Sequence, residues 1–492
     1  MLRPWELQIT INRDSDIAIH LQLVQHITEE IQRGRLPPKA VLPGSRELSE
    51  KLGVNRKTVI LAYEELIAQG WLVTQGKRGT FVSPSIPAIP APRVKPTDHR
   101  DRAKPAPTTV LAPFHQEADA ASRLLLQWSD GVPDTRLIPF EVLSRAFRHA
   151  LIASSRANRL GYDDPRGSIQ LRRAIATMLN NERGLDCDIR NVCLVRGSQM
   201  GIYLSAKLLI RPGDKVVMEH LSHPPACAAF RSCGGEVLTV GMDANGMDMD
   251  ALEEMCKKHA IRAVYVTPHH QFPTTVMMTA DRRMRLLILA SQYDFVILED
   301  DYDHEFHFSH HPVLPLTSMD RSGRVIYVGS MSKVLAPGLR VGYLVASEEI
   351  INQGASEIMH IDRQGNAVTE LAVAELLDSG EIKRHIRRTL KIYSERRETI
   401  ASIVVNALDP YVECDIPDGG LAFWLRMKSQ INLSALMAEA KNLQIGLLPG
   451  SMFSIDGAPV NAIRLGYANF NPSELTVGLN RLKAALSQSV RH

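Results

Sequence analysis

The stretch that decides the fold is VIYVGSMSKVLAPGLRVGYLVA, residues 325–346. Two apolar runs, VIYVGS and VGYLVA, flank a polar loop, and runs of this length and composition read as buried strands. Lys333 lies in the loop directly after the first run, where desolvation would make it a usable amine nucleophile. Arg340 follows seven residues later, beyond Pro337-Gly338, placed as an anion clamp. Upstream, FVILEDDYDHEF (295–306) puts Asp300 at the end of another apolar strand. A carboxylate buried there needs a cationic partner or stays protonated.

Further runs lie outward: VCLV (192–195), KVVME (215–219), EVLTV (236–240) and AVYVTP (263–268), with helical stretches between several of them. Seven such strands predict a mostly parallel α/β sheet, and ligands gather at the carboxyl ends of its strands. After VCLV, a Gly197-Ser198 turn opens a helical run, presenting backbone N–H groups and a positive dipole end as a phosphate seat. Asp, Lys and Arg at strand ends together suit one ligand, pyridoxal 5′-phosphate: Asp300 for the ring nitrogen, Lys333 for the imine and Arg340 for the phosphate.

Toward the N-terminus, residues 84–113 carry eight prolines and five interspersed basic residues. Proline fixes φ and removes donors, so a semi-rigid linker is expected. The predicted organisation is a head (1–83), a linker (84–116) and a body (117–492). In the head, Ile19, Leu23, Ile27 and Ile31 form one helical stripe. Ser45 is expected to cap SRELSEKL, Gly53 to break that helix, and Asn55 to cap RKTVILAYEELIAQ. The short break LGVN is the spacing of a helix-turn-helix. WLVTQ and GTFVS, joined by Gly76-Lys77-Arg78-Gly79, read as a hairpin wing. The second helix of such a pair enters the major groove by its N-terminal residues, here Asn55, Arg56, Lys57 and Thr58. Arg46 faces phosphate or guanine, and Lys77 and Arg78 reach backbone or minor groove.

The 492 residues carry a formal net charge of +3, so any nucleic-acid site is local. No apolar run approaches the ~18 residues of a membrane span, and no secretory signal opens the sequence. Six cysteines without a C-x-x-C suit reduced thiols in a cytoplasm.

The head resembles the winged helix-turn-helix of GntR-type bacterial regulators over LPGSRELSEKLGVNRKTVILAYEELIAQGWLVTQGKRGTFV. That resemblance implies DNA contacts at Arg46, Arg56, Thr58 and Gly79. The body resembles fold-type I aminotransferases that use pyridoxal 5′-phosphate, and the whole chain resembles the MocR/GabR subfamily. The segments are SDGVPDTRLIPF (129–140), GYDDPRGSIQLRRAIATMLNNERG (161–184), TPHHQFPTT (267–275), EDDYDHEF (299–306), SMSK (330–333) and AIRLGYA (462–468).

The resemblance implies an aldimine at Lys333, Asp300 on the ring nitrogen and Tyr302 on the phenolic oxygen. It also implies a phosphate cup from Ser198 and Gln199 with Arg340, and Gln271 near the ring oxygen edge. Tyr162 would reach the cofactor phosphate of a partner subunit, and Arg464 would hold the carboxylate of an amino-compound effector. His223 stands where the family stacks a tyrosine on the ring, and Thr275 stands where it has glycine.

The expected protein is a cytoplasmic regulator binding double-stranded operator DNA as a head-to-tail homodimer. It senses pyridoxal 5′-phosphate, an amino compound, or both. The alternative is a working aminotransferase with an accessory head. The run His304, His307, His310, His311 is expected to be a solvated loop rather than a metal site, and Met242, Met247 and Met249 to be packing residues.

Overall fold

The computed structural model describes residues 9–15, 17–86, 126–158, 160–308 and 314–490. The chain divides into two compact units, 1–115 and 116–492. Most of the expected linker, from residue 87 onward, lies outside the described residues.

The head is three helices and a two-stranded wing: α1 (Ile19–Gln32), α2 (Ser45–Leu52), α3 (Arg56–Ala68), β1 (Leu72–Thr74) and β2 (Thr80–Val82). The four-residue stripe buries Leu23, Ile27 and Ile31 of α1 against Leu48, Val59, Ala62 and Leu66. Each large aliphatic side chain there contributes ~1.5–3 kcal/mol. Gly53 ends α2 at φ 63°, a left-handed conformation that costs glycine little. Asn55 caps α3 by accepting from Lys57 N. The expected cap of α2 is corrected. Gly44 occupies the cap position and Ser45 begins the helix; the Ser45 hydroxyl instead accepts from Arg56 Nε at 3.3 Å. β1 and β2 pair antiparallel with Leu72 opposite Val82, and the turn Gly76–Arg78 tips the wing.

In the body all seven expected strands form one sheet. They are β3 (Val192–Val195), β4 (Lys215–Glu219), β5 (Glu236–Val240), β6 (Ile261–Val266), β7 (Val296–Asp301), β8 (Val325–Ser330) and β9 (Gly342–Val345). Their spatial order is β3-β9-β8-β7-β6-β4-β5. Only β9 runs antiparallel to its neighbours. Both faces of the sheet are covered by apolar side chains, which is why the strands read as near-continuous hydrophobic runs.

A smaller antiparallel sheet includes β10 (Ala422–Met427) and β11 (Ala462–Gly466). The segment around Ser129 is pinned to it by Gly466 N donating to Ser129 O. Met247 and Met249 are core residues and Met242 packs beside an apolar cluster, as expected. All six cysteines are free thiols. Among the described residues no helix is long and apolar enough to cross a membrane.

Candidate functional site

Register brings the chemistry together. β7 and β8 pair in parallel with Asp300 opposite Val328, so Asp300 and the loop carrying Lys333 leave the sheet at the same edge. Asp300 is 4% exposed. Its Oδ2 accepts from Tyr265 Oη at 2.8 Å, and its Oδ1 is buried with no partner among the described residues. Burial pushes this carboxyl up to about 7; Tyr265 and Lys333 pull the other way, and Asp301 and Asp303 add to the rise. Lys333 Nζ donates to Gly131 O at 2.9 Å.

The Gly197-Ser198 turn opens a helix. Helix α4 (Ser198–Leu209) begins after Gly197 with no side-chain cap. Gln199 Nε2 donates to Pro225 O, leaving Oε1 buried without a partner. Arg340, exposed and at φ 53°, donates to Arg196 O at 2.7 Å. A Cβ added to Gly197 would lie 2.8 Å from the Arg340 guanidinium, so glycine permits that approach. A cradle, an orphaned buried carboxylate oxygen and an amine beside it fit the chemistry of a pyridinium phosphate.

Arg464 on β11 is 1% exposed. Its guanidinium lies 4.6 Å from the Phe272 ring centre and donates to the carbonyls of Asp130 and Pro273. The Asp130 side chain was not anticipated as a site group, although its segment was. Burial raises its carboxyl, but Lys333, Arg464 and His223 outweigh this and hold it below the usual range. The missed signal was one acid in a glycine-containing turn; only the fold shows which cations it meets.

His223 precedes the helix Pro224–Ser232, with its ring 5.2 Å from that of Phe272, edge to face. Burial pushes its imidazole down to about 4, with Asp130 opposing, so it is neutral near pH 7. Tyr302 Oη donates to His270 O at 3.1 Å. Gln271 is fully engaged within the chain: Nε2 donates to Glu219 and to Leu221 O, and Oε1 accepts from Thr274 N and Oγ1. It therefore builds the wall rather than offering a spare group. Thr275 sits at φ 65°, a conformation that suits glycine better than a β-branched residue. Tyr162 is 77% exposed, with the Arg363 guanidinium 4.1 Å from its ring centre.

The solvated-loop expectation for the histidines is corrected. His304 is buried and pairs with Asp301 at 2.8 Å, and half-buried His307 meets His269. Cross-sheet packing of 267–270 against 301–307 encloses them, and no local sequence pattern reveals it. His310 and His311 lie outside the described residues.

In the head, Asn55, Arg56 and Lys57 are exposed at the start of α3 and Thr58 is half-buried. Arg46 is exposed on α2, 3.3 Å from Glu50, and Arg78 is exposed in the wing. Lys77 lies in the wing turn, and Gly79 follows it at φ 110°.

The gntR family of bacterial regulatory proteins matches residues 19–82, and the aminotransferase class I and II family matches residues 125–482. The chain is 29% identical to the probable rhizopine catabolism regulatory protein MocR of Rhizobium meliloti, over 97% of this chain and 95% of that one. It is 31% identical to the transcriptional regulator TauR of Rhodobacter capsulatus, over 95% and 96% of the two chains. Among solved structures, the kynurenine aminotransferase of Pyrococcus horikoshii is 27% identical, with a TM-score of 0.70 over 75% of this chain and 92% of that one. The α-aminoadipate aminotransferase LysN of Thermus thermophilus is 29% identical, with a TM-score of 0.69 over 74% and 92%. With a gntR-family head joined to a body that belongs to the aminotransferase class I and II family, the chain is a transcription regulator of the MocR/GabR subfamily.

Proposed function

We propose that the body of this regulator holds pyridoxal 5′-phosphate at the carboxyl edge of its large sheet and uses it to sense an amino compound, the cofactor itself, or both. When bound, the cofactor supplies an aldehyde that condenses reversibly with amines. The carrying observation is Asp300 Oδ1, buried without a partner beside Tyr265 and in the field of Lys333. A carboxyl in that state is completed by a cationic ring N–H.

The chain's own groups divide the work. Asp300 orients the ring through its nitrogen. The N-terminus of α4, with Ser198 and Gln199, and Arg340 hold the phosphate. Lys333, now donating to Gly131 O, would be the amine available to the cofactor's aldehyde. Neutral His223 would flank the ring, and Tyr302 would hold its phenolic oxygen. Arg464 turns from the Asp130 and Pro273 carbonyls to fork onto an incoming carboxylate. Asp130 shares the same cations and competes with that carboxylate. Exposed Tyr162 serves a partner subunit in a head-to-tail homodimer, whose two heads read paired half-sites of cytoplasmic operator DNA.

Borohydride reduction followed by mass measurement tests the reading. About one pyridoxyl group per chain, lost in Lys333→Ala, is expected; equal labelling in that variant assigns the attachment elsewhere. The enzyme alternative rests on the likeness of the body to solved aminotransferases. Sustained amino-donor turnover without DNA retardation would favour it.

A further inference from the structure

We propose that the body also contains a transition-metal site, built from His269, His270 and His307, for a borderline dication such as Zn²⁺. One candidate ligand atom from each of these residues lies within 4.8 Å of the others. Three imidazole nitrogens of the set are buried with no hydrogen-bond partner among the described residues: His269 Nδ1, His270 Nε2 and His307 Nδ1. His269 and His270 are 2% and 1% exposed. A buried nitrogen such as His270 Nε2 is costly without a partner, and a bound ion would complete it. The Nε2 atoms of His269 and His307 converge on each other, so an ion there would take these two atoms together with His270 Nε2, and the two Nδ1 atoms lie on the far sides of their rings. Two neutral imidazoles cannot both present lone pairs to the same point without a shared proton or a cation between them.

The surroundings match what a dication needs. Asp303 Oδ1 lies 2.8 Å from His270 Nδ1, which fixes the ring and leaves Nε2 facing away, the carboxylate–histidine arrangement that supports metal ligation. Asp301 holds His304 in the same way, and the His304 ring centre lies 4.6 Å from that of His269. His269, Asp301 and His304 form a second, adjoining group of candidate ligands that shares His269. Two buried carboxylates, Asp301 and Asp303, offset the ion's charge, although Arg183 already claims part of Asp301. An all-imidazole set favours Zn²⁺, Ni²⁺, Co²⁺ or Cu²⁺ over Mg²⁺ or Ca²⁺. Small side-chain rotations would bring three nitrogens to the ~2.0–2.1 Å of a Zn–N bond. The site adjoins Asp300 and Gln271 in sequence, yet the inference stands without the cofactor.

The test uses the full chain without a polyhistidine tag, stripped by chelator and titrated with Zn²⁺ against a chromophoric competitor. One equivalent per chain is expected, with affinity at least tenfold lower in His269→Gln and His307→Gln, and unchanged in His310→Gln/His311→Gln. Circular dichroism checks the folding of each variant. Cobalt substitution of the unmutated chain gives a second readout: intense visible bands of a four- or five-coordinate nitrogen site are expected. Absence of stoichiometric binding, unchanged affinity in both single variants, or the weak spectrum of hydrated Co²⁺ overturns the proposal.

Discussion

Asp300 and Glu219 are both buried carboxyls, and they differ in what surrounds them. Asp300 faces Lys333 and has an oxygen without a partner. Asp300→Asn should therefore weaken pyridoxal 5′-phosphate binding at least about tenfold, since a charge-assisted hydrogen bond contributes ~1.5–3 kcal/mol. Titration by absorbance or fluorescence checks it; an unchanged affinity removes Asp300 from the ring.

Among the described residues Glu219 meets no cation. Burial pushes it from 4.5 up to about 8, opposed by the hydrogen bond from Gln271. Between those values the folded chain keeps a proton that the unfolded chain has released, so stability falls as pH rises across that window and levels off outside it. Glu219→Gln keeps an acceptor for Gln271 and abolishes that slope. Its melting temperature should match the wild type near the lower bound and exceed it by several degrees near the upper one. Parallel melting curves for both proteins across the window would contradict this. Asp300 and Lys333 were legible because strand ends are legible. Asp130 and the His269–His307 contact were not, because each depends on segments more than thirty residues apart meeting in space.

At the scale of elements, the helix-turn-helix was legible nearly residue by residue. Its signals are local: a four-residue apolar stripe, Gly53 in the left-handed region, and Asn55 as a cap. The Ser45 cap was misread because Gly44 and Ser45 are both good cap residues, and the contact with Arg56 arises only once two helices cross. That contact holds Arg56 at the exposed start of α3. Arg56→Ala should cost ~1–3 kcal/mol in operator affinity if it reads a base, or lower the salt slope by about one if it meets phosphate. Gel retardation at several salt concentrations distinguishes these outcomes; identical affinity and slope would take Arg56 off the DNA face. The Arg46–Glu50 pair, exposed and worth ~0.3–0.5 kcal/mol, is weak enough to yield to a phosphate. The sheet was equally legible because strands covered on both faces leave long apolar runs. The small sheet carrying Arg464 left shorter, mixed runs, and only the family likeness pointed to that residue.

For the whole molecule, the proposed sensing requires that what the body binds changes what the head does. A ligand shifts an equilibrium only by its differential affinity for the two states, so the coupling has a size that can be measured. A coupling of ~1–3 kcal/mol corresponds to a 5–150-fold change in DNA affinity. The most direct test measures binding of the full chain to a duplex that it selects from genomic fragments. Affinity is compared without cofactor, with pyridoxal 5′-phosphate, and with cofactor plus a panel of amino acids. The account predicts at least a fivefold shift of affinity in the wild type and none in Lys333→Ala, with that variant still binding the duplex. Equal affinity under every condition, or the same shift in both proteins, would contradict it.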